Sequence, residues 1–340
     1  MSILAIDGFE STAFTTTFQR RYGVGLIPTF VTGRKGAGSA FEYASTTATT
    51  LALQLNRTAG PTIIVSMGFR FSDVQTTDFI TLRIGGSEQI RLQFERVDAA
   101  SGRFIVSRGG TDLGTSDVIP SDTWYFLEWL VTISDSAGRT EIRLDQVLFF
   151  EIDGVDTKLQ ISSAIDEVRI GLQCAASGTW QLDDLYVVGS ADPAEDFLGD
   201  ISVSGVTPLG DGATLDWDAQ PGPVHVEQVD EDSSDDDATY IDAVPLGDDL
   251  FTNAGFDREL VTGRVVAVGA AMDAKLDAPG SETFSLLGRD DATGEELPAD
   301  LITVATTTYA GHLGVMPSGA SGRPWETQGV AGEQQGVRDQ

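Results

Sequence analysis

The sequence contains few of the side chains that usually carry out chemistry in proteins. Its one cysteine is Cys174, and its two histidines are His225 and His312. A single cysteine excludes an internal disulfide, and two histidines without a group of cysteines do not make the ligand set of a structural zinc site. Because Cys174 lies in an apolar stretch, we expect it to be a small buried side chain. Both histidines are expected to have structural or surface roles.

Long apolar runs are also missing from the sequence. No stretch of about 18 apolar residues occurs, so the sequence predicts no insertion into a membrane. The first ten residues lack both a basic start and a long apolar segment. We therefore expect no signal peptide.

Positive charge is scarce, because 21 Lys and Arg stand against 52 Asp and Glu, a net charge of −31. The part before Pro193 has 15 basic and 23 acidic residues, and the remainder has 6 and 29. Such a surface repels nucleic acid and anionic membranes, so neither is an expected partner. Salt would screen this repulsion, which leads to the hypothesis that the protein works in a saline setting.

Apolar residues are plentiful, at 41 % of the chain, which is enough for packed cores. Up to about Val188 they form short runs between Gly, Asp and Ser turns, the pattern of β-strands. This pattern, without a long amphipathic helix, favours a β-sandwich or jelly roll. The predicted strands are Ile63–Phe71, Phe79–Ile84, Ile90–Glu95, Arg103–Arg108, Trp124–Ile133, Thr140–Leu144, Gln146–Ile152, Glu167–Leu172 and Trp180–Val188.

Two of these strands carry additional information. In Trp124–Ile133 nearly every residue is apolar, with Glu128 the exception, which predicts a strand covered on both faces. In Trp180–Val188 the neighbouring Asp183 and Asp184 interrupt the alternation, which predicts a bulge or a strand end there.

The length of 340 residues predicts about two domains. Residues 1–190 form the predicted sandwich, and the small, polar residues 191–196 form a predicted linker. Residues 197–316 are predicted to be an acidic, β-rich domain for anchoring or assembly. Residues 317–340, rich in Gly, Ser and Gln, are predicted to be an extended or flexible tail. The strands predicted in the second domain are Asp200–Val206, Gly263–Ala271, Thr283–Leu287 and Leu301–Thr308.

Short motifs in the first region resemble one family of proteins. Trp180–Val187 (WQLDDLYV) looks like the closing strand of concanavalin A-like, laminin-G-type jelly rolls in phage virion proteins. Thr123–Trp129 (TWYFLEW) resembles a core strand of that fold. Glu141–Phe149 (EIRLDQVLF) resembles its hairpin, with Asp145-Gln146 where Asn-Gly is normal. Asp7–Glu10 (DGFE) resembles the opening strand, which typically pairs near the closing one.

The second region resembles the same proteins. Phe197–Val203 (FLGDISV) looks like a segment that follows such jelly rolls in predicted phage tail and virion proteins. Val229–Glu231, Asp235–Ile241 and Gly322–Glu326 then come in the order seen there. The resemblance implies an all-β chain: an N-terminal concanavalin A-like jelly-roll β-sandwich followed by a smaller, acidic, mainly β second domain.

The resemblance also implies a role and a place. It implies a structural component of a tailed-phage virion, such as a fibre, spike or capsid decoration. Such a protein is assembled in the host cytoplasm and exposed on the particle surface. The implied partners are other copies of the chain in a homo-oligomer, other virion proteins and host surface polysaccharide.

The residues do not predict an enzyme. Concanavalin A-like folds include endoglucanases, which carry E-x-D-x-E on one strand, and a retaining mechanism needs two carboxylates about 5–5.5 Å apart. Glu151-Ile152-Asp153 supplies the first part, but Val155 stands in place of the second Glu, and Asp153-Gly154 is predicted to be a turn. Neither histidine lies in a nucleophile motif. The chain is therefore predicted to be without enzymatic activity, catalytic residues or a required cofactor.

An acidic run in the second region is a candidate calcium site. Hard cations take six to eight oxygen ligands, which acidic loops supply. The run lacks the Gly and the final Glu of an EF-hand, and a solvated acidic loop remains the alternative. The candidate ligands are Asp230, Glu231, Asp232, Asp235, Asp236 and Asp237.

A second function remains open, that of a carbohydrate-binding, lectin-like module without a structural role in a particle. It rests on analogy, because jelly rolls often serve as lectins. The densest aromatic group is predicted to pack in the core, not to form a sugar platform, and consists of Trp124, Tyr125, Phe126 and Trp129. The other candidate platforms are Trp180, Trp217 and Trp325.

Overall fold

Extended strands make up most of the described chain, which confirms the predicted all-β class. The structure, a computed structural model, describes residues 2–9, 22, 29–36, 38–190, 197–203, 205, 208–229, 237–253, 268–290, 296–316 and 333–339. The described residues from 2 to 203 form one unit, and those from 205 to 339 form a second. In the described residues no helix is long and apolar enough to cross a membrane.

Two antiparallel sheets of the first unit pack face to face as a jelly-roll sandwich, as predicted. Within the described residues the larger sheet has eight strands in the order β12-β11-β10-β5-β14-β3-β2, with β1 also paired to β14. These are β1 (Ser2–Asp7), β2 (Thr29–Thr32), β3 (Ser39–Tyr43), β5 (Thr62–Val74), β10 (Tyr125–Thr132), β11 (Gly138–Leu144), β12 (Val147–Val155) and β14 (Cys174–Ser190).

The smaller sheet has six strands within the described residues, in the order β4-β13-β6-β7-β8-β9. They are β4 (Thr49–Ala59), β6 (Thr77–Ile84), β7 (Ser87–Asp98), β8 (Ser101–Arg108), β9 (Thr111–Pro120) and β13 (Ile165–Leu172). Tight turns with glycine at positive φ join neighbouring strands, at Gly85-Gly86 and at Gly109-Gly110. A two-residue hairpin needs that conformation, which glycine adopts without strain.

Aromatic side chains between the sheets form the core of the first unit. Trp180 of the larger sheet stacks on Phe79 of the smaller sheet, with ring centroids 4.8 Å apart. Phe94 meets Trp180 at 5.1 Å and Phe71 at 4.7 Å, both edge to face. All four side chains are at most 2 % exposed. Offset and edge-to-face contacts of this kind add to the hydrophobic gain of burial, so this cluster joins the two sheets.

Three local predictions are confirmed in the larger sheet. Residues 126–131 of β10 are all buried, so both faces of this strand are covered. The pairing of β14 with β5 shifts register after Asp183, and Asp184 has a φ of 52°, which marks the predicted bulge. Asp145 and Gln146 both have positive φ, 50° and 69°, so they make the hairpin turn that Asn-Gly usually makes.

The second unit is also built of strands. Its main sheet has the order β15-β18-β23-β20-β21 in the described residues, and β16 with β17 and β19 with β22 form separate pairs. Trp217, Phe284 and Ile302 pack in its core. The strands are β15 (Pro208–Leu215), β16 (Asp218–Gln220), β17 (Tyr240–Asp242), β18 (Asp248–Asn253), β19 (Val268–Ala274), β20 (Glu282–Asp290), β21 (Glu296–Val304), β22 (Ala310–Met316) and β23 (Glu333–Asp339), with a 3₁₀ turn at Val226–Gln228.

Three sequence-based predictions differ from the structure. Residues 200–203 of the predicted strand Asp200–Val206 are irregular: Val203 N bonds to the Asp184 side chain and Ile201 N to the Gly199 carbonyl, and neither bond joins a neighbouring strand. The segment 197–203 belongs to the first unit. Residues 333–339 of the predicted tail form β23 between β18 and β20, since main-chain pairing needs no apolar side chains. Gly154 is a bulged residue within β12 and not a turn.

Other predicted segments fall on residues outside the described part of the chain. These are the linker 191–196 and residues 317–332 of the tail. Their predictions stand as predictions.

Candidate functional site

The predicted calcium site lies almost entirely outside the described residues. Of its six candidate ligands, Asp237 is described, and its carboxylate bonds to the Lys275 ammonium and, at 3.2 Å, to the Tyr309 hydroxyl. The bond with Lys275 lowers the pKa of Asp237. Among the described residues there is no group of three or more His, Cys, Asp or Glu side chains that could hold a metal ion. Calcium binding remains a prediction.

Cys174 and the two histidines have structural surroundings. Cys174 is 1 % exposed, and burial raises the pKa of its thiol, the reverse of what a thiolate nucleophile needs. Nδ1 of His225 lies 2.8 Å from Oδ2 of the buried Asp249. His312 lies on β22, where burial lowers its pKa. None of the three belongs to a nucleophile and base arrangement in the described structure.

The candidate carboxylates on β12 and the aromatic group also have structural contacts. Oε1 of Glu151 forms an ion pair with Arg139 at 2.7 Å. The second carboxylate of the endoglucanase pattern is missing, because Val155 stands at its position. Phe126 and Trp129 are fully buried, as predicted for core residues, whereas Trp124 and Tyr125 of the same group are only partly buried. Trp180 and Trp217 are buried as well, and Trp325 lies outside the described residues.

The segment 197–203, called the clasp below, covers the outer face of the larger sheet. Three of its amides donate hydrogen bonds to side chains of that face. Leu198 N donates to the Tyr186 hydroxyl at 3.2 Å, Gly199 N to Glu128 Oε1 at 2.9 Å, and Val203 N to Asp184 Oδ1 at 2.7 Å. The polar positions of β10 and β14 are therefore occupied by the chain itself and are closed to a ligand.

Charged side chains fasten the clasp at its centre. Arg34 bonds to Asp184 at 2.7 Å and to Asp200 at 2.6 Å, and also donates to the Ile201 carbonyl at 2.8 Å. Burial acts to lower the pKa of Arg34, but its bonds with Asp200 and Asp184 outweigh burial and raise it. Burial acts to raise the pKa of Asp200, and the bond with Arg34 outweighs it and lowers that pKa. The Arg34 and Asp184 side chains are 8 % and 5 % exposed, and this buried arrangement stabilises the fold.

The smaller sheet has one apolar and one polar face. Ile80 and Leu82 of β6 pair with Ile170 and Val168 of β13, and all four are fully buried in the core. Since side chains alternate along a strand, the residues between them lie on the opposite face. That face is called the open face below, and its charged and amide side chains include Asp78, Arg83, Glu88, Arg91, Gln93, Glu95, Arg103, Glu167 and Arg169.

Side chains of the open face hold one another in place. Glu167 lies between two arginines: its Oε1 accepts a hydrogen bond from Arg169 Nε at 2.5 Å, and its Oε2 forms an ion pair with Arg83, 3.2 Å from Nε. Arg103 Nε bonds to Glu95 at 2.5 Å. The open face is a fixed array of hydrogen-bond donors and acceptors, exposed enough to meet a polar ligand: the Arg103 side chain is 40 % exposed.

A further contact joins two neighbouring strands of the open face. Gln93 Nε2 on β7 donates to Asp78 Oδ1 on β6 at 3.3 Å, and Arg91 Nε lies 3.4 Å from the same oxygen. One carboxylate thus orients an amide and a guanidinium side by side. Such a group offers a ligand adjacent donors at a fixed spacing.

The sequence-based search missed the open face. It identified the strands that contain these residues but did not single out their charged side chains. The signal was present as charged or amide residues at every second position, at Arg91, Gln93 and Glu95 on β7 and at Glu167 and Arg169 on β13. A polar face that is this rich in arginine is unusual for a chain with a net charge of −31.

No protein-family model matches the sequence, and no curated protein is similar to it. Solved structures do match. A glucuronan lyase of the fungus Trichoderma reesei is 16 % identical, with 50 % of this chain and 90 % of that chain covered and a TM-score of 0.34. A Caenorhabditis elegans galectin is 12 % identical, with 43 % and 95 % covered and a TM-score of 0.28.

A carbohydrate esterase of a Shiga toxin-encoding bacteriophage also matches. It is 14 % identical, with 48 % of this chain and 87 % of that chain covered and a TM-score of 0.34. At this level the matches concern the jelly-roll fold alone, and no residue role is taken from them.

The prediction that the chain is not an enzyme is wrong, because enzymes are among the solved structures that match it. The matching structures include the glucuronan lyase, an alginate lyase and the phage carbohydrate esterase. The lack of one carboxylate pattern and of a histidine-activated nucleophile covers two kinds of catalytic site and does not exclude others.

Proposed function

We propose that the first unit binds a glycan on the open face of its smaller sheet. The observation that carries this proposal is the array of arginine, carboxylate and Gln93 side chains that hold one another there. Neighbouring hydroxyls of a sugar need donors and acceptors side by side, and arginine–carboxylate pairs supply both at a fixed spacing. Because these side chains are already held, binding costs less conformational entropy.

The two sheets differ in a way that favours the smaller one. On the outer face of the larger sheet, the side chains of Glu128, Asp184 and Tyr186 accept hydrogen bonds from the amides of the clasp. The open face has no such cover in the described residues, and its Arg103 and Arg169 side chains are 40 % and 37 % exposed. The polar groups of β10 and β14 are therefore covered, whereas those of the open face remain accessible to a ligand.

The test is a screen of the full chain against a glycan array, followed by calorimetry with the best ligand. Replacing Gln93 by Ala should weaken binding about tenfold, because Asp78 and the ligand both lose a hydrogen-bond partner. The matched control is Gln181→Ala on the larger sheet, where Gln181 Nε2 bonds to Glu42 at 2.7 Å, and its affinity should be unchanged. An equal loss in both variants, or no glycan bound at all, would refute the proposal.

The same samples should be followed for new reducing ends or released acyl groups. This measurement separates binding from turnover of the glycan. It needs no assumption about which residue reacts.

We further propose that this glycan-binding protein is carried on the surface of a phage particle. The two motifs that resemble phage virion proteins contact each other here, since Val203 of the FLGDISV motif bonds to Asp184 of the WQLDDLYV motif. No aromatic side chain is among the open-face residues defined above, so binding depends on hydrogen bonds, which favours display of many copies. In this proposal the partners are other copies of the chain and other virion proteins.

Mass spectrometry of purified particles and light scattering of the free protein test this placement. We expect the chain in the particles and an oligomer in solution. A strict monomer that is missing from particles would contradict the placement and leave the glycan proposal standing.

A further inference from the structure

Two arginine–glutamate–arginine clusters, one in each sheet, can be compared within the described residues. The Glu167 cluster lies on the smaller sheet and consists of Arg83, Glu167 and Arg169. In the larger sheet, the Glu141 cluster consists of Arg139, Glu141 and Arg143. In both clusters the central glutamate side chain is 4 % exposed. The two clusters thus start from the same chemistry.

The Glu141 cluster is complete. A second carboxylate, that of Glu151, lies 2.7 Å from Arg139 Nη2, so two arginines face two glutamates. The guanidinium of Arg143 is covered by the Phe197 ring, with its Cζ 3.9 Å from the ring centroid. The two positive and two negative charges balance there, and both arginines have partners within the protein.

The Glu167 cluster lacks the equivalent of both partners. It has two arginines and one glutamate, because Glu88, which lies opposite Arg83 on β7, pairs instead with Arg91 at 3.5 Å. Among the described residues the Nη atoms of Arg83 and Arg169 donate no hydrogen bond: Arg169 bonds to Glu167 through Nε, and Arg83 faces Glu167 with its Nε at an ion-pair distance of 3.2 Å. The side chains are 21 % and 37 % exposed. A guanidinium held at Nε has its Nη pair left for a planar or tetrahedral oxyanion.

Small neighbours leave the Arg169 side chain accessible. Arg169 pairs with Ala52 on β4 and with Thr81 on β6. Neither side chain is long enough to reach across a guanidinium. Arg91 follows in the same row, opposite Thr81 on β7, so a long ligand could continue across the sheet from Arg169 to Arg91.

We infer that the Glu167 cluster binds an oxyanion carried by the glycan, in the role that Glu151 has in the Glu141 cluster. The ligand class is an acidic polysaccharide with a uronate carboxylate or a sulfate ester. This inference rests on the proposed function, because it names the kind of glycan that the open face selects. The overall negative charge of the chain makes nonspecific attraction of such a polymer an inadequate explanation for binding.

The experiment uses the full chain and four polymers: polygalacturonate, its carboxyl-reduced form, dextran sulfate and dextran. Calorimetry or surface-immobilised polymer gives the affinities. We expect polygalacturonate or dextran sulfate to bind at least about tenfold more tightly than its uncharged counterpart. Arg169→Gln should lower that affinity about tenfold.

Arg139→Gln is the matched control, because Arg139 has a similar exposure of 33 %, also bonds to a buried glutamate, and lies on the other sheet. It removes the same charge and should leave the affinity unchanged. Equal loss in the two variants would show a general charge effect and overturn the inference.

Failure of the inference can be told apart from failure of the proposed function. Equal binding of charged and uncharged polymers, with loss in Gln93→Ala, overturns the oxyanion and retains the glycan site. No binding of either acidic polymer overturns the inference, and the glycan array then decides the proposed function.

Discussion

Glu128 is a buried carboxyl group whose hydrogen bonds are only partly satisfied. It lies in an otherwise apolar strand at 1 % exposure, and its Oε1 accepts hydrogen bonds from the Tyr186 hydroxyl and from Gly199 N. Its Oε2 has no hydrogen-bond partner among the described residues. Burial raises the pKa of Glu128, although Tyr186, Gly199 and Arg143 act against burial and Asp200 adds to it. The fold therefore favours the protonated form of this carboxyl.

This predicts a pH dependence that Glu128→Gln removes. Because the pKa of Glu128 is higher in the folded chain than in the unfolded chain, its stabilising effect is complete below the ordinary pKa of glutamate. The effect is lost as the pH rises through the raised pKa. The free energy of unfolding of the wild type should therefore fall, relative to Glu128→Gln, as the pH rises from about 4 toward neutrality and above.

Urea unfolding of both proteins across this range measures the difference. Glutamine keeps the acceptor oxygen that Tyr186 and Gly199 need, so the variant should fold. A difference that stays constant with pH would show that Glu128 does not titrate in this way.

The clasp is the element that joins distant parts of the first unit. It has no regular secondary structure, yet the amides of Leu198, Gly199 and Val203 are paired, because buried amides need partners and side chains of β10 and β14 supply them. Phe197 begins the clasp and stacks on Arg143 of β11. This contact holds the start of the clasp, and the Arg34 bonds to Asp200 and Ile201 hold its centre.

Phe197→Ala should loosen the clasp without disturbing the sandwich. Loss of the cation–π contact, about 1 kcal/mol at a half-exposed site, should speed amide hydrogen exchange at Leu198, Gly199 and Val203 about fivefold. Amides of β5 and β10 should be unaffected. Ile161→Ala, at a side chain that is 98 % exposed, is the control. Equal exchange in the wild type and Phe197→Ala would mean that the ring does not hold the clasp.

Charge dominates the behaviour of the whole molecule. A net charge of −31 means that like charges repel across the surface, and most of the excess lies after Pro193. Many of the few basic residues are arginines already paired with carboxylates on the two sheets of the first unit. Screening by salt should therefore favour the folded chain.

Thermal unfolding should shift upward when sodium chloride rises from low millimolar to the level of seawater. A gain of about 1 kcal/mol corresponds to about 2–4 °C for a unit of this size. Circular dichroism measures the transition, and a chelator in every sample separates screening from the predicted calcium binding. A fall in the unfolding temperature with salt would contradict this account and the saline hypothesis.

Much of the fold could be predicted from local pattern. Apolar residues at every second position placed the strands around Phe79, Phe94 and Trp180, because a strand shows its buried face in its own sequence. The covered strand β10 and the bulge at Asp183-Asp184 were visible for the same reason. β23 could not be predicted in this way. Its place in the middle of a sheet depends on main-chain hydrogen bonds, and its polar sequence has no apolar alternation that would indicate a strand.

What the sequence by itself determined is therefore an acidic chain of short strands with a sandwich core. Which face of each sheet is covered was decided by tertiary structure alone. The clasp brings Arg34, Glu128 and Asp184 together with residues 198–203, and the Glu167 cluster joins Arg83 to Arg169 from strands far apart in sequence. Alternation shows that a strand has two faces, but only the neighbours brought by folding decide which polar face is filled and which is left to a ligand.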